Sequence, residues 1–92
     1  MELRWTPEAA DNLEEIYDYY RTRSASAAHP VIASVQAGLT QLQQFPYTGR
    51  LGIRPDTREL VLTGAPYLIV YRIRHETVEI LGIRHGARQV IQ

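Results

Sequence analysis

The sequence predicts one α+β domain, in which an N-terminal strand and an antiparallel helical hairpin pack on a twisted, mainly antiparallel four-stranded sheet. Residues 6–44 carry two stretches whose apolar residues recur at helical spacing, and residues 58–84 carry three strand-like runs. The connections between these runs are short enough to allow only antiparallel neighbours. A chain of 92 residues is of single-domain size, so we expect residues 1–92 to share one core.

The first 21 residues predict a short strand followed by a helix. Residues 1–5 read as the strand, and Thr6, Pro7 and Glu8 then supply an N-cap, a proline at the first helical position and an acid in the first turn. The helix is expected to end near Arg21. Its apolar side is formed by Ala9, Ala10, Leu13, Ile16, Tyr17 and Tyr20, whereas Tyr19 is expected to project outward.

A second helix is expected to begin at Ser26 or His29, just before Pro30. It ends at Phe45, because a residue that precedes proline avoids the α region. The Gly and Pro residues of the next segment predict irregular structure. The apolar positions of this second helix are Val31, Ile32, Val35, Leu39 and Leu42.

Three strands are predicted at residues 58–62, 67–74 and 78–84, with a tight turn at His75 and Glu76 between the last two. In the middle strand, one face carries Ile69, Tyr71 and Ile73, and the other mixes apolar residues with arginine. Since neither face is simply polar, we expect one face to pack on the helices and the other to meet a partner. The first strand is expected to lie beside a later one.

Composition excludes several classes of protein and of site. No run approaches the roughly 18 apolar residues of a membrane span, and charges occupy the place where a signal peptide needs an apolar region. The absence of Cys excludes disulfides and thiolate metal sites. These features indicate a cytoplasmic protein. His29, His75 and His85 lack paired ligand spacing, so we expect no metal, and no glycine loop indicates a cofactor.

Charge is distributed unevenly along the chain. Residues 1–20 hold six acidic side chains and one Arg, whereas residues 21–92 hold nine Arg and four acidic side chains. All ten basic residues are Arg, so a cationic surface here offers planar guanidinium forks that suit phosphate or carboxylate, and no lysine base.

The candidate functional residues are Arg58, Arg72, Arg84, His85 and Arg88. Each also has a structural interpretation. Arg58 and Arg72 can pair with the acidic first helix through Glu14, Glu15 or Asp18. His85 can cap the last strand. Arg84 and Arg88 can contact a partner protein or solvent. Arg50, beside Gly49, is expected to fix its loop.

Four segments together resemble the RelE/ParE superfamily of toxins: Leu-x-x-Phe-Pro-x-x-Gly-Arg at residues 42–50, the arginine-led strand at 58–62, Tyr-x-x-x-Tyr-Arg-Ile at 67–73, and Arg-His-Gly-Ala-Arg at 84–88. The resemblance covers residues 3–89. It implies a toxin of a type II toxin–antitoxin, or plasmid stabilisation, system that a cognate antitoxin neutralises.

The resemblance leaves two activities open. RelE-like members cut mRNA on the ribosome with Lys, Arg and a late Tyr, whereas ParE-like members inhibit DNA gyrase without hydrolysis. This chain has Glu59-Leu60-Val61 where RelE-like members carry lysines, and no Tyr follows Tyr71. The resemblance therefore favours a gyrase inhibitor that binds its target through Arg72, Arg84 and Arg88. A nuclease would rely on Arg58, Arg84, His85 and Arg88, and an inactive antitoxin-binding module is a third alternative.

Overall fold

The computed structural model describes residues 1–86, and the predicted site residue Arg88 lies outside them. Two helices follow one N-terminal strand, and four further strands complete the described chain. In order, the elements are β1 (Glu2–Trp5), α1 (Pro7–Arg21), α2 (Ala25–Gln44), β2 (Arg50–Leu51), β3 (Arg58–Val61), β4 (Tyr67–Arg74) and β5 (Thr77–His85).

The strands of residues 1–86 form one sheet in the order β1-β5-β4-β3-β2. The β1–β5 pair is parallel and the other three pairs are antiparallel, so the predicted mixed sheet with the first strand beside a later one is confirmed. The sheet has five strands rather than four, because residues 50 and 51 pair with Glu59 and Arg58. The glycines and proline around this segment predict irregular structure, so the short strand was not expected from the sequence.

The predicted start of α2 was wrong. Ser24 is the N-cap, and its hydroxyl accepts a hydrogen bond from the Ala27 backbone N–H at 3.0 Å. Pro30 therefore lies inside the helix. Its missing N–H would have bonded to the carbonyl of Ser26 in the first turn, so the proline removes one bond close to the helix end instead of setting the start.

Both helices lie on the same face of the sheet, here called the inner face. The main core joins Ala9, Val35 and Leu42 of the helices to Ile69 and Ile80 of the sheet, and each of these side chains is fully buried. The predicted orientation of the tyrosines is confirmed, since Tyr17 and Tyr20 pack against the core while Tyr19 is half exposed. Within residues 1–86, neither helix packs on the opposite face of the sheet, here called the outer face.

The tight turn between β4 and β5 is also confirmed. His75 and Glu76 both adopt a left-handed backbone, with φ of 52° and 58°. Two consecutive positive φ values match the twist of a two-residue hairpin. The turn fixes β5 against β4 and thereby the positions of the arginines that these strands carry.

Candidate functional site

A β-bulge in β5 decides which candidate residues share a face. Tyr71 pairs with Ile80 and Val70 with Gly82, so the register skips Leu81. An extra residue of this kind inverts the alternation of side chains beyond it. Because of the bulge, Arg84 points to the outer face of the sheet and His85 to the inner face.

Arg84 lies in an open groove of about 540 Å³ on the outer face, here called the arginine groove. Its floor includes Val70 and Gly82, and its walls come from the loop after β2 and the start of α1. The charged side chains that line it are Arg54, Arg72, Arg84, Glu8 and Glu59. The groove contains no His or Tyr among its described lining residues, and its three guanidinium groups suit ion pairing and hydrogen bonding.

Arg72 is held by an ion pair across the sheet. Its Nε donates to Glu79 Oε1 at 2.5 Å, and these two residues face each other in the β4–β5 register. The hydrogen bond from Arg72 keeps the pKa of the Glu79 carboxyl below its usual value, and the charges of Arg72, Arg74 and Arg4 act in the same direction. The positive charge of Arg72 is therefore partly balanced by Glu79.

Arg58 is directed to the loop that precedes β2. Its Nη1 donates to the carbonyls of Gly49 at 2.9 Å and Tyr47 at 3.2 Å, and its guanidinium lies 5.3 Å from the Tyr47 ring centroid. Within the described residues, neither Arg58 nor Arg72 forms the alternative ion pair with Glu14, Glu15 or Asp18. That alternative was wrong because loop carbonyls bind Arg58 and Glu79 binds Arg72.

Arg50 holds the short strand β2 in place, as expected. Its Nη2 lies 2.9 Å from Glu59 Oε1 and its Nε donates to the same oxygen at 3.0 Å. The Glu59 side chain is nearly buried at 8% exposure, so this pair is shielded better than a surface ion pair. The loop prediction for Arg50 is confirmed.

His85 lies in a second opening, between α1 and the end of the β4–β5 ladder. Its ring meets the Tyr67 ring edge to face, with centroids 5.5 Å apart. Tyr20 and Glu15 line the same opening. The sheet separates His85 from Arg84, so these two of the candidate nuclease residues do not lie side by side.

Sequence reasoning missed two features of these sites. Arg54 joins the arginine groove from the loop after β2, where a buried Thr57 folds the loop back through a bond from its hydroxyl to the Arg54 carbonyl at 2.7 Å. The tyrosine-lined opening beside His85 was also missed. The sequence offers no signal for either, because both depend on which elements meet across long separations.

Residues 1–86 contain neither a membrane-spanning helix nor a cluster of metal ligands. None of the helices in residues 1–86 is both long and apolar enough to cross a membrane. Across the same part of the chain, no three His, Asp or Glu side chains lie close enough to hold a metal ion.

Comparison with known proteins agrees with the fold and with the sequence motifs. Residues 3–90 match the family model of the ParE toxin of the type II toxin–antitoxin system parDE. The chain is 40% identical over 87 residues to the Sinorhizobium fredii protein named "Putative toxin Y4kP", a match that covers 95% of this chain and 90% of that protein.

A solved structure gives the same result for the fold. The chain superposes on a structure described as the chromosomal ParDE TA system from P. aeruginosa with a TM-score of 0.81 and 30% sequence identity. The match covers 92% of this chain and 95% of that one. The chain therefore belongs to the family of ParE toxins of type II toxin–antitoxin systems.

Proposed function

We propose that this ParE toxin inhibits DNA gyrase by binding it, without cutting nucleic acid, and that the arginine groove is the target-binding surface. The single observation that carries the proposal is the separation of Arg84 from His85 by the sheet. General acid–base catalysis needs a proton carrier within hydrogen-bond reach of the reacting group. In the described residues the groove offers three guanidinium groups, which suit binding of acidic side chains, and no His or Tyr. Of its two carboxylates, that of Glu59 is already paired with Arg50.

We further propose that a cognate antitoxin neutralises the toxin. Three large apolar side chains near the β2–β3 edge support a partner: Leu51 is 78% exposed, Ile53 73% and Val61 57%. Large apolar side chains left exposed near one sheet edge favour a protein partner. A stable complex should bury well over about 1,200 Å² in total. Measurement of the interface in the purified complex tests this point, and a toxin that does not bind the product of its neighbouring gene would refute it.

A supercoiling assay with purified gyrase tests the target. Arg84→Gln should weaken inhibition by about 5- to 30-fold, which corresponds to about 1–2 kcal/mol for one interfacial charge. Arg84→Lys should keep part of the effect, and His85→Gln should be mild because His85 faces away from the groove. The matched control is Arg21→Gln, which removes the same charge from an exposed arginine of α1 that pairs with Asp18.

The two alternatives give different outcomes in the same set of variants. An mRNA endoribonuclease would leave supercoiling intact and produce ribosome-dependent cuts in translated mRNA, and His85→Gln would abolish its toxicity. An inactive module would show neither effect while it still bound the antitoxin. Either result would refute gyrase inhibition by this chain.

A further inference from the structure

The opening beside His85 has the chemistry of a cation site. We call it the tyrosine cleft and define it by Glu15, Tyr19, Tyr20, Tyr67 and His85, which line a volume of about 550 Å³. It lies on the inner-face side of the sheet, whereas the arginine groove lies on the outer face. The two openings therefore present separate surfaces to partners.

The rings of the tyrosine cleft form a continuous edge-to-face chain. Centroid separations are 5.0 Å from Tyr19 to Tyr20, 6.4 Å from Tyr20 to Tyr67 and 5.5 Å from Tyr67 to His85. The Tyr67 hydroxyl also donates to the Tyr20 hydroxyl at 3.4 Å. These contacts hold the aromatic walls in a defined arrangement before any ligand arrives, which lowers the entropic cost of binding.

The end of α1 already stacks guanidinium groups on tyrosines. Arg23 Cζ lies 3.6 Å from the centroid of the Tyr19 ring, and Arg21 Cζ lies 5.7 Å from that of Tyr17. The negative face of an aromatic ring attracts cations at such distances. Tyrosine rings at this end of α1 therefore accept guanidinium groups, and Arg23 already occupies one face of Tyr19.

Charge and shape favour the same ligand. Glu15 is exposed at the cleft and has no ion pair within the described residues, and α1 carries four more acidic side chains at Glu8, Asp11, Glu14 and Asp18. Ile16 and Ile83 form a buried apolar floor along which an aliphatic stem can lie. A guanidinium matches this set better than an ammonium, because its plane stacks on a ring while its fork binds a carboxylate.

We propose that the tyrosine cleft binds an arginine side chain of the antitoxin. The proposal rests on the antitoxin binding stated above and names one contact of that complex. The acidic and aromatic cleft complements a basic partner segment, whereas the cationic arginine groove complements an acidic one. Antitoxin and target therefore approach the toxin through surfaces of opposite charge.

The first experiment uses Nα-acetyl-arginine amide as the probe and follows the aromatic and amide resonances of the isolated toxin by NMR. Shifts should concentrate at Tyr19, Tyr20 and Glu15 and saturate at millimolar probe. Nα-acetyl-citrulline amide, which has nearly the same shape but no charge, should produce no comparable shifts. Equal responses to the two amides, or arginine shifts spread elsewhere, would overturn the cation site.

Paired variants then separate the site from general electrostatics. Glu15→Gln should lower the affinity of the toxin for the probe and for the antitoxin by roughly threefold to tenfold, as expected for a partly exposed cation contact. Glu14→Gln is the matched control, because Glu14 is exposed on the same helix but does not line the cleft. If both variants weaken binding equally, the effect comes from the net charge of α1, and the cation site is refuted.

Competition assigns the ligand to the antitoxin. Saturating antitoxin should displace the arginine probe, and a probe that stays bound would overturn this assignment. The supercoiling assay is independent of these measurements of probe and antitoxin binding. Failure of gyrase inhibition would leave the cleft result unchanged, and failure of probe binding would leave the target proposal unchanged.

Discussion

The backbone N–H of Gly49 donates to the hydroxyl of Tyr71, at 2.9 Å, and thereby ties the loop before β2 to the centre of the sheet. The same hydroxyl donates to the carbonyl of Pro46 at 2.8 Å. The Tyr71 side chain is fully buried. One phenol thus satisfies two backbone groups and orients the loop whose other carbonyls are held by Arg58.

We expect Tyr71→Phe to destabilise the fold by about 2 kcal/mol, because Gly49 N–H and the Pro46 carbonyl lose their partner in a buried setting. Urea unfolding followed by circular dichroism measures the effect. Tyr47→Phe is the control, since Tyr47 lies in the same loop with its side chain largely exposed. A loss below about 0.5 kcal/mol would show that water replaces the phenol without cost.

Stability should also fall in alkaline solution. Burial raises the pKa of the Tyr71 hydroxyl above 10.0, although the hydrogen bond from Gly49 and the charge of Arg58 oppose this, and burial raises the pKa of Tyr17 as well. A raised pKa means that the folded state keeps a proton that the unfolded state releases, so stability is lost as pH rises above 10.0. Tyr71→Phe should show a shallower alkaline decline than wild type in pH-dependent urea unfolding. An identical decline would contradict the role of Tyr71.

Gly49→Ala should destabilise the protein by about 1–3 kcal/mol through overpacking. A Cβ at this position would lie 2.5 Å from the Tyr71 hydroxyl oxygen and 2.9 Å from the Glu59 carbonyl oxygen. Two hydrogen bonds hold the Tyr71 ring, and the Glu59 carbonyl belongs to a strand. Neither group can move away from the new Cβ without a cost in free energy. Gly86→Ala is the matched control, because its Cβ would meet its nearest neighbour at 3.7 Å. Equal melting temperatures for the two variants would refute this packing argument.

The Arg72–Glu79 pair should give a measurable acid response. The pKa of Glu79 is lowered chiefly by its hydrogen bond from Arg72, so the pair stabilises the fold above the ordinary carboxyl pKa of 4.5. That contribution is lost as pH falls through the lowered value. Arg72→Gln should move the Glu79 pKa back up in an NMR titration and weaken the acid dependence of unfolding. An unchanged titration curve would mean that Arg72 is not the dominant cause.

Ser24→Ala should cost about 1 kcal/mol of stability, because the Ala27 N–H would lose its N-cap acceptor. Ser26→Ala is the comparison that decides the start of the helix. Ser26 lies in the first turn, so its loss should be nearly neutral apart from its contact with the Ser24 hydroxyl at 3.3 Å. Thermal unfolding of both variants measures the difference. A larger loss of stability in Ser26→Ala than in Ser24→Ala would show that the helix begins at Ser26.

Sequence reasoning recovered the elements whose signals are local. Thr6, Pro7 and Glu8 mark the start of α1, and the hydroxyl of Thr6 does cap the helix by accepting from Ala9 N–H at 3.2 Å. Helical periodicity and the short connections predicted the hairpin and the antiparallel meander. The predicted start of α2 was wrong because Pro30 suggested a helix start, whereas Ser24 caps the helix earlier. The strand β2 was missed because Gly49 and Gly52 flank it and only its pairing with β3 makes it a strand.

The sequence by itself determined the fold class, the family motifs and the arginine-only cationic surface, because periodicity, turn residues and composition are properties of neighbouring residues. Only the tertiary structure decided which of the arginines act together. The bulge at Leu81 shifts the alternation of β5, so that Arg84 faces the groove with Arg72 while His85 faces the tyrosines of the opposite side. A one-residue shift in strand pairing leaves no mark on local sequence pattern, yet it moves every later side chain to the other face.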